Sequence, residues 1–225
     1  MASNIPRCPR RDEIAPSTRE VLVAGVGAKA DVLVVAVDGG SVIVKDFARR
    51  RLWARGLGRL QVRREAQTYR WLEGVSGVPV FVGRIDAHAL AIERIDGERL
   101  AFLAPDPVSA PRRVSELRRI LDAIHARGVV HNDLRGRENV LVRRDGSLAV
   151  LDFAGSIRLR PGGLAHRLFF SRLTLADEAA FLKWKGIIAP GTYTREDEAF
   201  LRKFERWRGL WPFNPKRRKA RSEAA

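Results

Sequence analysis

From Val21 onward the chain places short runs of β-branched residues between turn residues. Val21-Leu22-Val23, Val32 to Val37 and Val42-Ile43-Val44 are separated by Gly25-Val26-Gly27 and by Asp38-Gly39-Gly40. Runs of that length bounded by glycines predict an antiparallel meander, and Asp38-Gly39-Gly40 has the chemistry of a hairpin turn. The period then changes: Leu60, Ala66, Tyr69 and Leu72 approximate one face of a helix over about 58–73, with Gly74 just past its end. Two more strands follow, Val78 to Gly83 and Ala89 to Ile92, with Pro79 placing the first at an edge or at its opening residue.

Past Ile95-Asp96-Gly97-Glu98 the pattern is mainly helical. Pro111, then Val114, Leu117, Leu121 and Ile124, then Gly128 supply a helix start, an apolar stripe and a stop. A hairpin of Val140 to Val142 and Leu148 to Leu151 interrupts it, turning at Asp145-Gly146, and helical spacing returns at about 174–186 and 195–208. The expected fold class is therefore α+β and bilobal: a five-stranded antiparallel N-lobe with one helix, and a reduced, mainly helical C-lobe. Four segments are expected: a flexible leader over 1–17, an N-lobe over 18–97, a C-lobe over 98–211 and a basic tail over 212–225.

Composition changes the picture in two places. Lys and Arg number 42 against 26 Asp and Glu, a net charge of +16. That field favours polyanions such as anionic membrane surfaces, phosphorylated glycolipids or nucleic acid, but charge speaks to partners rather than to fold. No nucleic-acid motif accompanies it, so no specific nucleic-acid partner is expected. Cys8 is the only cysteine, which rules out an intrachain disulfide and fits a reducing, cytoplasmic setting; with so few thiols and imidazoles, zinc is not expected either. The stretch Phe204 to Phe213 interleaves aromatics with arginines ahead of the Lys216-Arg217-Arg218-Lys219 tail, a mixture suited to peripheral contact with the inner face of a membrane.

The chemistry-bearing residues form an ordered series. Gly25-Val26-Gly27 lies between the first two strands, Lys45 ends the third, and Glu65 stands twenty residues on in the helix. His131-Asn132-Asp133-Leu134-Arg135 leads to Asn139, and Asp152-Phe153 follows the hairpin. This series resembles the core of the protein-kinase-like superfamily. Five residues between Asp133 and Asn139 and the form His-Asn-Asp-Leu bring it nearest to small bacterial RIO-like kinases and the lipopolysaccharide core-sugar kinases. The resemblance spans about residues 18–160 and implies ATP and Mg²⁺ as cofactors.

In that reading Gly25 and Gly27 approach the phosphates, Lys45 grips them and Glu65 holds Lys45. Asp133 takes or orients the acceptor hydroxyl, Arg135 meets the γ-phosphate, Asn139 and Asp152 bind the metal, and the backbone of Glu93 to Ile95 receives the adenine. His131 supports the loop, and His125 is a structural helix residue. The implied activity is transfer of the γ-phosphate to a hydroxyl acceptor on a protein, sugar or glycolipid; the alternative is a nucleotide-binding pseudokinase or regulator.

The pattern departs from protein kinases elsewhere too. Asn132 stands where arginine is usual, Ala154 where Asp-Phe-Gly has glycine, and Ile188-Ala189-Pro190-Gly191 is the nearest approach to an Ala-Pro-Glu element. The longer spacing after Asp133 is expected to be absorbed by an unusual backbone angle at Gly136.

Overall fold

The computed structural model describes residues 6–210, with side chains through Arg206. The tail 212–225 and the side chains of Trp207 and Trp211 lie outside the described residues. The chain is α+β. Strands β1 (Thr18–Val23), β2 (Asp31–Val37), β3 (Gly40–Asp46), β4 (Phe81–Arg84) and β5 (Ala89–Glu93) form one antiparallel sheet in the order β1-β2-β3-β5-β4. Residues expected to be a flexible leader instead include helix α1 (Arg11–Ser17). Its Ile14 packs against Val35, Val42, Val44, Ala89 and Ala91, and Arg11 bridges Asp46 at 2.6 Å and Asp86 at 2.6 Å. The sheet thus carries a helix on each face, and the mixed charges of the leader, which hid its order, are the ones that tie it down.

Helix α2 (Leu52–Trp71) covers the other face and begins a turn and a half before the expected start. Its buried stripe is Ala54, Gly58, Val62, Ala66 and Tyr69, not the Leu60 face, since Leu60 is 55% exposed. Small residues replace leucines there because helix and sheet lie close: a Cβ on Gly58 would stand 2.5 Å from the Phe47 ring.

The second half contains β6 (Gly97–Arg99), a 3-10 turn (Leu100–Phe102), α3 (Ala110–Ala126), β7 (Val129–Val130), β8 (Val140–Arg143), β9 (Leu148–Val150), β10 (Ile157–Arg158), α4 (Leu164–Ile188) and α5 (Arg195–Leu210). Strands β6, β8 and β9 make one small sheet, and β7 pairs with β10. One apolar core runs through both halves, from Phe47, Tyr69 and Leu90 to Leu117, Leu134, Phe153 and Trp184. The sequence element 188–191 is the stop of α4: Ala189 caps the helix and Gly191 has φ +79°. It cannot serve as an Ala-Pro-Glu anchor preceding that helix. Only residues 153–163 separate Asp152 from α4. Among the described residues no helix is long and apolar enough to cross a membrane.

Candidate active site

Strand alternation places the first group. On β3, Val42 and Val44 face α1, so Ile43 and Lys45 face α2. On α2, Glu65 falls on the buried stripe, 1% exposed, and its carboxylate meets the Lys45 Nζ at 2.6 Å. The same ammonium lies 2.6 Å from Asp152 Oδ1. One cation therefore joins the sheet, the helix and the segment after β9. Burial works against the Lys45 charge, but the two carboxylates override it and raise its pKa. Asp152 would be pushed up by burial, yet Lys45 holds it below the ordinary aspartate range, so it is a carboxylate at neutral pH.

The hairpin brings the second group to the same place. Val140 pairs with Val150, so Asn139, just before β8, lies across from Leu151, just after β9, whose N–H donates to the Asn139 carbonyl at 2.8 Å. Asn139 is buried, and its Nδ2 donates to the Asp133 carbonyl at 2.7 Å, leaving Oδ1 as an acceptor. Asp133 itself is exposed. Surrounding protein and the nearby Asp152 charge raise its pKa, while His131 and Lys29 pull it down.

Gly136 has a different task from the one expected. Its φ is not in the left-handed region; rather, a Cβ there would stand 2.6 Å from the Asn139 amide, so glycine is what lets that side chain close on Asp133. The left-handed backbone sits instead at Asn132 (φ +64°) and Asp152 (φ +65°), a conformation that short polar side chains tolerate best.

Asp177, on α4, anchors this loop from beneath. It is fully buried and accepts the backbone N–H groups of His131 and Asn132, each at 2.7 Å, with His125 Nε2 3.0 Å away. Trp184, two turns on, donates to the Leu134 carbonyl at 2.7 Å. His131 Nε2 donates to the Leu151 carbonyl at 2.9 Å, which leaves Nδ1 to accept from the Asp133 N–H at 3.3 Å. His131 thus orients the loop on both sides of the hairpin, and His125 has a structural contact.

Aromatic packing fixes the segment after Asp152. Phe153 is fully buried, 4.8 Å from the His131 ring and 5.3 Å from that of Tyr69, which in turn stacks on Phe81 at 6.4 Å. Ser156 donates to the Phe153 carbonyl and meets Thr68 of α2 at 3.0 Å. Helix α2, the hairpin end and the loop 131–139 therefore form one packed unit.

Lys45, Glu65, Asp133, Asn139 and Asp152 are brought together. Arg135 sits on the same loop beside buried Leu134. Gly25 and Gly27 lie in the β1–β2 turn, but the Gly25 N–H donates to Asp31 at 2.8 Å, and Arg50 ties Asp31 to the Gly25 carbonyl. That amide is committed within the turn, so a phosphate contact from Gly25 is not part of this arrangement. Glu93 accepts the Val80 N–H at 2.9 Å and an Arg143 N–H at 3.1 Å, cross-linking the sheet to β8, with Ile95 beyond it on the connection.

Asp177, Trp184 and Lys29 were not singled out from the sequence, and Tyr69 was read only as part of a helix face. Asp177 was findable: with Ala180, Phe181, Trp184 and Ile188 it falls on one apolar helix stripe, where an acid needs a reason. Lys29 had no such signal, since an exposed lysine in a turn looks like any other.

Magnesium takes few protein oxygens and keeps the rest of its shell for water and phosphate. No group of three or more His, Cys, Asp or Glu fit for a metal exists among the described residues. One aspartate and one asparagine oxygen on facing hairpin ends suit that ion rather than a metal needing a full protein cage.

The chain has a partial, kinase-like relationship to known proteins, carried by one short stretch. No protein-family model matches the chain. A 70-residue stretch is 41% identical to serine/threonine-protein kinase Pkn1 of Myxococcus xanthus, covering 28% of this chain and 10% of that kinase. The chain thus spans about a tenth of the relative it matches.

Proposed function

We propose that the protein is a Mg-ATP-dependent phosphotransferase acting on a hydroxyl. The observation that carries this is the placement of Lys45 at 2.6 Å from both Glu65 and Asp152, with Asn139 tethered to Asp133 alongside. Lys45, oriented by Glu65, binds the α- and β-phosphates; Asn139 and Asp152 would hold magnesium. The bound ion neutralises phosphate charge during transfer. Asp133 accepts the proton as the acceptor oxygen attacks the γ-phosphorus, the bond to the bridging oxygen breaks, and ADP leaves. Arg135, on the same loop, and Lys29, near enough to Asp133 to lower its pKa, would meet the transferred group. The adenine rests on the backbone of Glu93 to Ile95.

The segment 153–163 is too short to build the docking shelf an extended peptide needs. A sugar, glycolipid or compact protein hydroxyl fits better, in line with the resemblance to RIO-like and lipopolysaccharide core-sugar kinases. ATP as donor puts the reaction in the cytoplasm. The committed Gly25 amide favours one second reading, a nucleotide-binding regulator with weak or no transfer.

Incubating γ-labelled ATP with the full chain and, in parallel, cell lysate, membranes and lipopolysaccharide separates these readings. Label on one acceptor class, absent when Asp152→Asn replaces the native chain, is the expected result. Tight ATP binding with no label on any acceptor or on the chain itself would favour the regulator.

A further inference from the structure

The exposed face of α2 is unlike a solvated helix surface. Leu52, Trp53, Leu57 and Leu60 are 82, 60, 56 and 55% exposed. At 100° per residue they fall within one arc of about 140°, opposite the stripe of Ala54, Gly58, Val62, Glu65, Ala66 and Tyr69 that packs on the sheet. Four large apolar side chains on one arc make a patch, not scattered exceptions.

The charges around that patch have one sign. Arg59, Arg63 and Arg64 border or enter the arc, and Arg49, Arg50 and Arg51 lead into it. The only acid on the helix, Glu65, points inward to Lys45. Arg50 is paired with Asp31, whereas Arg49, Arg51, Arg59 and Arg63 have no ion pair among the described residues. Arg49, Arg50, Arg51 and Trp53 line one cavity of about 300 Å³ with Gly27. Leu57, Leu60 and Arg64 line another of about 400 Å³ with Ala154 and Gly155, just past Asp152.

We infer that this face is a docking surface for an anionic lipid bilayer. Leucines and a tryptophan surrounded by unpaired arginines need a partner that offers a hydrocarbon layer beneath a sheet of negative charge. A bilayer with anionic headgroups supplies both at once: the leucines enter the acyl boundary, Trp53 sits at headgroup depth and the arginines meet phosphates. A polyanion without an apolar layer leaves the leucines unused. The chain's own C-terminal segment is a poor occupant, because Lys216 to Arg221 would be brought against the arginines. The inference does not depend on phosphotransferase activity, but it would seat the bilayer beside the opening next to Asp152.

The test is co-sedimentation of the full chain with phosphatidylcholine vesicles and with vesicles also containing phosphatidylglycerol. The native chain should pellet with the anionic vesicles and not with the neutral ones. The triple variant Trp53→Ser, Leu57→Ser and Leu60→Ser, all surface positions, should lose at least about tenfold in partitioning while keeping its circular dichroism spectrum. A chain ending at residue 211 should still pellet. The inference is overturned if the triple variant pellets like the native chain, if removal of the tail alone abolishes pelleting, or if the native chain binds nucleic acid but neither kind of vesicle.

Discussion

An Asp133→Asn chain should bind Mg-ATP as the native chain does and transfer phosphate about 10²–10⁴-fold more slowly, the range that loss of a positioned general base produces. Asp133 holds neither Lys45 nor the loop. Its carboxylate is exposed, and the loop is held through the Asp133 backbone, whose carbonyl accepts from Asn139 and whose N–H donates to His131. Asparagine keeps that backbone and the side chain's size but cannot accept the hydroxyl proton. The expected signature is a fall in kcat with ATP affinity unchanged. A fall in affinity of similar size would instead make Asp133 a nucleotide ligand.

Asp177→Ala should be the most damaging single change away from the cleft. The side chain is fully buried, and its two oxygens accept the N–H groups of His131 and Asn132. Removing it strands the buried His131 N–H and takes the acceptor from the part-buried Asn132 N–H, so urea denaturation should show a loss of about 1–3 kcal/mol from the first donor and less from the second. It also frees Asn132 from what holds its left-handed backbone and so releases Asp133 beside it. Phosphate transfer should fall even at low temperature, where the variant is still folded. An unchanged unfolding midpoint would contradict the anchoring role.

The sequence was most legible where a local rule had no competitor. Glycine-bounded β-branched runs became β1, β2 and β3 of the five-stranded sheet, and the Asp145-Gly146 turn became the β8–β9 hairpin that sets Asn139 across from Leu151, next to Asp152. Elements were missed where order comes from contacts made far along the chain. Helix α1 is held by Arg11 reaching Asp46 and Asp86, which no local pattern announces. Strands β7 and β10 are two residues each, too short for any periodicity. The first turns of α2 and α4 expose apolar residues, so an amphipathic pattern could not mark them.

In the site, Lys45 near the end of β3, Asn139 just before β8 and Asp152 just after β9 stood out at element ends, while Glu65, in the middle of α2, was marked only by its spacing from Lys45. What supports them did not stand out. Asp177 and Trp184 act from a helix later in the chain, and the Gly25 amide is occupied through Arg50 and Asp31, a pairing nineteen residues apart.

Calorimetric titration of ATP into the full chain, with magnesium and with the metal chelated, tests the proposed function most directly. Binding should require magnesium in the native chain, and the Asp152→Asn chain should lose that requirement along with most of the affinity. No binding under either condition, or equal affinity with and without the metal, would contradict a site in which Lys45, Asn139 and Asp152 hold Mg-ATP for transfer.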